Sequence, residues 1–411
     1  MKKLLLLGGT RYLLPVIRKA HEMGIYVITC DYLPHNIAHN YSDEYRNISI
    51  IDQDAVLAMA KERKIDGILS FGTDPGVVTC AYVAEKMGLP GSPYKSVKIL
   101  QNKDLFRAFL REHNFNVPKG KGYATKEEAL ADVDLYKYPI VVKPVDSAGS
   151  KGVVRVDSKD TLVSAIDVAF EQSVHGRIIM EEFIQQKGFA SDSDSFSIDD
   201  ELVFASFDNQ YFDDRADNPY TPAAYTWPSF MPRDKQIELR NEIARIVKLL
   251  HMGTSIYNIE TRVGTDGKAY IMECAPRGGG NRLSEMLELI TGQDLIGNNI
   301  RWALGMPLLP MKDPEYHGIW AEYVLHSYKD GLFRSVKINP DFEKEHIKQK
   351  DIWVEKGNEV HVFSGANRAI GTLVMQFDYY EEAEEALAHP ERWLTLELDY
   401  VNNNRQGGGK Q

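Results

Sequence analysis

The sequence predicts a mixed α/β and α+β fold with more than one domain, on three observations. Apolar strand-like segments alternate with helical segments up to about residue 95, which is the rhythm of a parallel βαβ sheet. Further along, residues 359–364 and 370–377 have the pattern of strands and residues 381–388 that of an acidic helix, which indicates a small α+β domain. The length of 411 residues exceeds one ordinary core, and 43% hydrophobic with 26% charged residues is globular composition.

The first domain is predicted from three strands and two helices. The strands cover residues 3–7, 26–30 and 67–70, and the helices lie around residues 15–23 and 55–63. The short apolar strands are typical of a parallel sheet that is buried on both faces.

Two loops at the ends of these strands are candidate ligand contacts. Gly8 and Gly9, with Asp31 after the second strand, imitate a dinucleotide fingerprint whose third glycine is missing. A dehydrogenase is therefore disfavoured, while an open βα turn remains suited to a small ligand. Residues 71–76 form a second such loop, for which a tight turn is the first interpretation and ligand contact the second.

Composition excludes several classes of protein. A formal charge of −11 argues against a nonspecific grip on nucleic acid, which depends on Lys and Arg. The apolar run at residues 4–7 is too short for an export signal, and no stretch has the length of a membrane span. The three cysteines, Cys30, Cys80 and Cys274, are far apart, which fits a reducing cytoplasm and no metal cluster. We expect a cytoplasmic protein without nucleic-acid or membrane partners.

A hairpin between residues 254 and 275 carries the strongest chemical pattern. If Val263 faces Lys268 across its Gly-Thr-Asp-Gly turn, Glu260 lies diagonal to Glu273 on one face of the strand pair. Two adjacent carboxylates repel unless a cation lies between them, and oxygen ligands favour Mg²⁺ over zinc. The alternative is a solvated acidic surface, which the apolar neighbours of both glutamates disfavour. Arg277 follows beside three glycines, so a cation and bare backbone adjoin this predicted metal site.

Upstream segments add cations and a flexible loop. Lys143 ends a strand at residues 138–144 and precedes a Ser/Gly-rich loop at residues 146–153, an arrangement that can hold phosphate without being a Walker A loop. Lys103 stands just ahead of a predicted helix at residues 104–113. Residues 177–184 predict a strand with two internal glutamates, which suits the edge of an adenine pocket.

Two further segments are interpreted as loops. Residues 191–195, Ser-Asp-Ser-Asp-Ser, predict a polar turn. Residues 209–232 are irregular, rich in Pro, Tyr and Asp, and too long for a simple connector, so we interpret them as a substrate loop.

In this order and spacing, these motifs resemble those of ATP-grasp enzymes over nearly the whole chain. The resemblance implies an ATP-grasp fold with a Rossmann-like pre-ATP-grasp domain at residues 1–97. It further implies an ATP-grasp domain with the nucleotide between two subdomains at residues 98–310, and an α+β closing domain at residues 311–402. Residues 403–411 are predicted to be a disordered tail.

The resemblance also implies roles for individual residues. Lys103 and Lys143 match the lysines that contact the phosphates of ATP, and Lys143 and Arg277 match catalytic positions. The mobile loop that closes over the phosphates is matched by Ser147, Ser150, Lys151 and Gly152. The segment that holds adenine is matched by Glu181, Glu182, Phe183 and Ile184. Glu260 and Glu273 match the ligands of Mg²⁺, with Mn²⁺ as an alternative metal.

Two departures from the family pattern concern the metal and the ribose. Ala275 stands where the pattern E-x-N-x-R has asparagine, which leaves the number of bound metal ions open. Ala190 stands where a glutamate commonly binds ribose, and Asp192 or Asp194 are candidate substitutes. The stretch at residues 277–282 is similar to the Arg-Gly-Gly-rich stretch of amino-acid ligases.

The resemblance therefore implies a ligase that activates a carboxylate as an acyl phosphate and joins it to an amine, with release of ADP and phosphate. Its expected substrates are small carboxylates and amines, amino acids first, with Arg282, Tyr225 and Trp227 as candidate contacts. A homodimer is one alternative for the oligomeric state, which stays open. Two other functions also stay open: carboxyphosphate chemistry like that of biotin carboxylase or carbamoyl-phosphate synthase, and a non-catalytic ATP-binding module.

Overall fold

A computed structural model describes residues 1–147 and 151–399, which divide into two compact units. The first unit combines Met1–Asp208 with Ser229–Glu315, and the second combines Asn209–Pro228 with Tyr316–Gln411. Ser150 and the predicted tail at residues 403–411 lie outside the described residues. The domain limits at residues 97 and 310 stay predictions.

The N-terminal part of the first unit is a parallel sheet with helices packed on it. Its strands follow the order β3-β2-β1-β4, and the predicted strands at residues 3–7, 26–30 and 67–70 are confirmed. Leu4, Leu5, Leu6 and Leu7 are fully buried, as expected of a strand covered on both faces. The elements are β1 (Lys3–Leu7), α1 (Leu14–Glu22), β2 (Tyr26–Cys30), β3 (Glu44–Arg46), α2 (Gln53–Arg63), β4 (Gly67–Ser70), α3 (Val77–Met87) and α4 (Tyr94–Gln101).

A second, antiparallel sheet follows in the order β5-β8-β6-β7. Phe106, Phe109 and Leu110 form the buried face of its first helix. Thr125 caps the next helix by accepting a hydrogen bond from the Glu128 amide at 3.2 Å. The elements are α5 (Lys103–Glu112), β5 (Gly120–Tyr123), α6 (Lys126–Ala131), β6 (Ile140–Pro144), β7 (Val154–Val156), α7 (Leu162–Gln172) and β8 (Ile178–Glu182).

Residues 191–303 contain the third sheet of the first unit, in the order β10-β9-β13-β14. Two other strands of this segment, β11 and β12, belong to the second unit. The elements are β9 (Ser191–Ile198), β10 (Glu201–Ala205), β11 (Asn209–Phe212), β12 (Pro222–Trp227), α8 (Arg233–Leu249), β13 (Ser255–Val263), β14 (Ala269–Ala275), α9 (Leu283–Thr291) and α10 (Leu295–Ala303).

The prediction of a polar turn at residues 191–195 is wrong, because these residues lie in β9 between β10 and β13. Ser191, Ser193, Asp194 and Ser195 are buried rather than exposed to water. Asp194 is fully buried and accepts hydrogen bonds from the Gly279 amide at 2.9 and 3.1 Å. A strand with satisfied polar groups can therefore be as buried as an apolar one.

The second unit contains a five-stranded sheet in the order β11-β12-β15-β19-β17 and a three-stranded sheet in the order β18-β16-β20. Of these, β18 and β19 lie within the predicted strands at residues 359–364 and 370–377. The remaining elements are β15 (Ile319–Leu325), β16 (Gly331–Ile338), α11 (Pro340–His346), β17 (Ile347–Ile352), β18 (Glu359–Val360), β19 (Gly371–Phe377), α12 (Tyr380–Ala388) and β20 (Leu394–Asp399).

The prediction of an irregular loop at residues 209–232 is also wrong. β11 pairs with β12, and β12 pairs with β15, so regular structure is absent only from residues 213–221 and 228–232 of this segment. Tyr225 and Trp227 are 1% and 0% exposed and stack with ring centroids 6.1 Å apart. The Ala, Tyr and Trp residues of β12 form a buried strand, whereas the Asp residues that suggested a loop lie in the connection between β11 and β12.

Trp393 anchors the core of the second unit. Its ring stacks on Phe342 at a centroid distance of 4.5 Å and an interplanar angle of 12°, and its Nε1–H donates to the Ala386 carbonyl at 2.8 Å.

Among the helices of the described residues, none combines the length and the apolar composition that a membrane span requires.

We predict that Trp393→Ala lowers the free energy of unfolding by about 3–5 kcal/mol, because it removes a large buried ring. Trp393→Phe should cost only about 1 kcal/mol, since the stacking remains while the indole hydrogen bond is lost. Urea titrations followed by near-UV circular dichroism measure both changes. Equal midpoints for Trp393→Ala and the unaltered protein would show that Trp393 is not a core residue.

Candidate functional site

Glu260 and Glu273 lie directly opposite each other on β13 and β14. The predicted register is wrong by one residue: Val263 pairs with Ala269 rather than Lys268, and a shift after Glu260 brings it level with Glu273. The offset at Val263 arises at the turn, and a β-bulge after Glu260 adds one more residue, because an extra residue on one strand changes the pairing beyond it. Directly opposite residues share a face of the sheet, so the prediction that both glutamates share a face is confirmed.

A third carboxylate continues this row. Asp192 on β9 is the cross-strand partner of Glu260 on its other side, so Asp192, Glu260 and Glu273 form a row across three strands. Burial and the nearby Glu260 raise the pKa of Asp192 to about 7. Three acids side by side make this face strongly attractive to cations.

Cationic side chains face the row. Lys103, at the start of α5, places its Nζ 3.0 Å from an oxygen of Glu273. Arg262, two residues after Glu260 on β13, donates to it through Nε at 3.1 Å. Desolvation opposes ionisation of Glu273, but Lys103 and Lys143 lower its pKa below its ordinary value. Each of the two glutamates therefore holds a side-chain cation.

Behind this face lies a buried ion network centred on Glu181. Its carboxylate oxygens lie 2.6 Å from Lys143 Nζ and 2.7 Å from Arg107 Nε, and Arg107 also donates to the Met272 carbonyl at 2.8 Å. Glu181 and Arg107 are 2% and 1% exposed. Burial would raise the pKa of Glu181, but Arg107 and Lys143 lower it to about 2. Burial lowers the pKa of Lys143, and the neighbouring Glu181 opposes this shift.

Arg107 was not among the predicted site residues. It lies four residues after Lys103 on α5, so both cations project from one side of the helix. A charged residue inside the apolar face of Phe106, Phe109 and Leu110 is the signal that could have indicated it. The side chain of Glu181 belongs to this network, and its predicted role beside adenine stays a prediction.

The loop after β6 and the segment after β8 adjoin these cations. Lys103 Nζ donates to the Ser147 carbonyl at 3.1 Å, and Ser147 Oγ donates to the Lys151 carbonyl at 2.8 Å. Gly152 has φ +70°, and a Cβ there would lie 2.8 Å from Gln172, so the loop requires glycine at this position.

The segment predicted to hold adenine begins at the end of β8. Glu182 accepts a hydrogen bond from the Lys137 amide at 3.4 Å, and the Phe183 amide donates to the Pro139 carbonyl at 3.0 Å. The Phe183 ring faces the guanidinium of Arg155 at 4.6 Å. The part of Glu182, Phe183 and Ile184 in binding adenine stays a prediction.

Asn258 lies directly opposite Ala275, where the amide of the E-x-N pattern is missing. Its Nδ2 donates to Asp192 at 2.8 Å, and its Oδ1 accepts from Arg277 Nη1 at 2.9 Å. Asn258 therefore supplies a side-chain amide beside the carboxylate row, but from β13 and not from position 275 of β14.

Arg277 is held by a residue from the N-terminal sheet. Its Nε and Nη2 donate to the two carboxylate oxygens of Asp74 at 2.9 and 3.1 Å, and Nη1 also donates to the Gly278 carbonyl at 3.1 Å. Asp74 lies in the loop after β4, for which the sequence predicted a tight turn first. This long-range partner of Arg277 was not predicted.

The three candidate substrate residues belong to different units: Arg282 to the first, and Tyr225 and Trp227 to the second. Arg282 has φ +59° just before α9, and its Nε lies 3.5 Å from a carboxylate oxygen of Glu285. Tyr225 and Trp227 are buried strand residues of the second unit. The role of all three in substrate binding stays a prediction.

The donor set fits a magnesium nucleotide. Glu260 and Glu273 offer oxygen ligands only, each already holds a side-chain cation, and Lys103 and Lys143 supply positive charge beside them. Within residues 1–147 and 151–399, no three His, Cys, Asp or Glu side chains are placed to hold one metal ion. Two carboxylates completed by phosphate oxygens and water are the usual way in which Mg²⁺ is bound with a nucleotide.

Comparison with known proteins identifies an ATP-grasp domain in this chain. The profile of the ATP-grasp domain family matches residues 136–285. The crystal structure of L-amino acid ligase from Bacillus licheniformis superposes with a TM-score of 0.78 at 21% identity, over 98% of this chain and 99% of that one. Phosphoribosylglycinamide synthetase from Anaerococcus prevotii gives 0.77 at 19% identity, over 97% of this chain and 100% of that one.

Among curated relatives, the carbamoyl phosphate synthase large chain of Clostridium perfringens (strain 13 / Type A) is 23% identical over 325 residues, which is 77% of this chain. This chain spans only 29% of the length of that relative. The chain thus contains an ATP-grasp domain, and the predicted ATP-grasp fold is confirmed.

We predict that Glu181→Gln lowers the free energy of unfolding by about 3–5 kcal/mol at pH 7, because two buried cations lose their counterion. The pKa of Glu181 is lowered from 4.5 to about 2 on folding, so its stabilisation is fully present above pH 4.5. The difference between variant and unaltered protein should hold from pH 8 to about 5 and shrink as the pH falls towards 2. Urea unfolding across this range measures it.

The neighbouring Glu182→Gln is the matched control, because the Glu182 carboxylate makes just one long hydrogen bond within the described residues, from the Lys137 amide. It should change the free energy of unfolding by no more than about 0.5 kcal/mol. A pH-independent loss in Glu181→Gln, or an equal loss in both variants, would contradict the ion network.

Proposed function

We propose that the protein is an ATP-dependent carboxylate–amine ligase that forms an amide or peptide bond and releases ADP and phosphate. The observation that carries this proposal is the pair of opposed carboxylates, Glu260 and Glu273, faced by Lys103 and Lys143 with Arg277 beside them. Such a set binds anionic phosphates and a divalent cation together, which phosphoryl transfer requires.

Each charged residue of the site has a proposed role in the reaction. Lys103 and Lys143 bind the phosphates of ATP, and Lys143 also offsets the charge that develops on the transferred phosphoryl group. Glu260 and Glu273 hold Mg²⁺, which when bound neutralises the charge on the phosphate oxygens. Arg277 steadies the acyl phosphate formed on the substrate carboxylate.

The reaction has two steps on the substrates. A carboxylate oxygen attacks the γ-phosphorus of ATP, the bond from that phosphorus to the β-phosphate oxygen breaks, and ADP leaves with the electron pair. The amine nitrogen then attacks the acyl carbon, phosphate leaves, and the nitrogen loses a proton. No serine or cysteine nucleophile is required, because the phosphate itself makes the carboxyl carbon electrophilic.

Amino acids are the proposed substrates. The support is the similarity of fold to an L-amino acid ligase together with the glycine-rich stretch after Arg277. Arg282 is the proposed partner of a substrate carboxylate, and Tyr225 and Trp227 are proposed contacts of the side chain. Mn²⁺ as an alternative metal, a cytoplasmic location and a homodimer belong to the same proposal.

A carboxyphosphate enzyme is the second candidate, favoured by the carbamoyl phosphate synthase relatives. In that reaction bicarbonate takes the place of the organic acid. A non-catalytic ATP-binding module is disfavoured because both lysines and both glutamates of the site are present.

The test is phosphate release from Mg-ATP against pairs of amino acids, with a bicarbonate arm and separation of ADP from AMP. We predict ADP and phosphate in equal amounts, dependent on two organic substrates. AMP as product would reject the acyl-phosphate mechanism, and release with bicarbonate alone would favour the second candidate.

Glu273→Gln should lower the rate of phosphate release at least 100-fold, because it weakens metal binding and leaves Lys103 without its partner. Glu201→Gln is the matched control: it lies in the same sheet and breaks a 2.8 Å pair with Lys248 at the surface. Its rate should stay within about twofold. Full activity of Glu273→Gln would exclude this hairpin as the metal site.

A further inference from the structure

The loop after β4 holds the turn after β14 at three points. The Gly72 amide donates to the Gly278 carbonyl at 3.0 Å. A Cβ on Gly278 would lie 2.1 Å from the Phe71 ring, so this ring lies against the Gly278 backbone at a distance that only glycine permits. The third point is the two-bonded pair between Asp74 and Arg277.

The hydrogen-bond donors of Arg277 are almost fully assigned within the described residues. A guanidinium has five N–H groups in a fixed fork. Two donate to Asp74, one to Asn258 and one to the Gly278 carbonyl. One N–H on Nη2 is left for another acceptor, and the other four bonds determine where it points.

Asp74 contributes more to this geometry than the other acceptors. It engages the Nε and Nη2 edge through both carboxylate oxygens, and a paired carboxylate–guanidinium interaction is charge-assisted and more directional than a single neutral hydrogen bond. Asp74 also belongs to a loop that is tied by Gly72 to the same turn. The guanidinium is therefore set against the N-terminal sheet and not only against its own strand.

We propose that Asp74 is a positioning residue for phosphoryl transfer, which directs the remaining N–H of Arg277 toward an oxygen of the transferred group. The proposal rests on the function proposed above, in which Arg277 contacts that group. It assigns the N-terminal sheet a part in catalysis, since the loop after β4 fixes the direction of a residue at the end of β14.

Binding of aluminium fluoride, a phosphoryl mimic, to the protein saturated with MgADP tests this by calorimetry, because the readout needs no knowledge of the organic substrates. Asp74→Ala should weaken aluminium fluoride binding about 10- to 100-fold and Asp74→Asn about 10-fold, since charge-assisted hydrogen bonds are lost. Asp74→Glu should recover part of the loss. MgADP binding itself should stay within about twofold in all three variants.

A double-mutant cycle with Arg277→Lys separates positioning from a general structural effect. A lysine cannot form the two-bonded pair, so Asp74→Asn should have less than about a twofold further effect in the Arg277→Lys background. Additive losses would overturn the proposal.

Asp66→Asn is the matched control, because Asp66 lies at the other end of β4 and accepts from the Lys3 amide at 2.7 Å. It removes the same charge from the opposite end of β4 and should leave both MgADP and aluminium fluoride binding within about twofold. An equal effect of Asp66→Asn, unchanged binding in Asp74→Ala, or no aluminium fluoride binding by the unaltered protein would overturn the proposal.

The two proposals fail separately. If no pair of amino acids supports phosphate release while aluminium fluoride binding follows the order above, amino acids are rejected as the substrates and the role of Asp74 is supported. If amino acids do support release, Asp74→Asn should lower kcat about 10-fold with little change in the KM for ATP.

Discussion

The structure of the site depends on the compensation of charge between two carboxylates and three cations. Glu181 and Glu273 are balanced by Lys103, Arg107 and Lys143, which come from a helix and a strand of other parts of the chain. A buried ion without its partner costs several kcal/mol, whereas the complete set costs little. The positions of α5, β6, β8 and β14 relative to one another are therefore coupled, because each element supplies a charge that compensates a charge on another element.

The same balance suits the binding of a nucleotide. Glu260 and Glu273 stand on one row with Asp192, while the cations stand on the facing side, so negative phosphates and a positive metal ion find complementary charges a few ångströms apart. Preorganised charges of this kind stabilise a transition state without rearranging when it forms. Asn258 and Asp74 extend the arrangement by holding Arg277 at the end of the row.

The sequence was sufficient where local pattern decides the structure and insufficient where distant partners do. The apolar runs predicted β1, β2 and β4, and strand alternation placed Glu260 and Glu273 on one face. The bulge that sets their register leaves no local pattern. Nor does the pair of Arg277 with Asp74, which lies 203 residues away, so only the fold reveals it. Polar β9 and aromatic β12 were mistaken for loops because burial of polar groups depends on partners in other strands.

The central claim is that this site transfers a phosphoryl group from ATP to a substrate carboxylate. Isotope transfer tests it most directly: the carboxylate of the organic acid that supports the fastest phosphate release is labelled with ¹⁸O, and the released phosphate is analysed by mass spectrometry. The account predicts one ¹⁸O atom in each phosphate, because the acyl phosphate leaves with a carboxylate oxygen. Unlabelled phosphate, with the label retained in the product or in AMP, would contradict it.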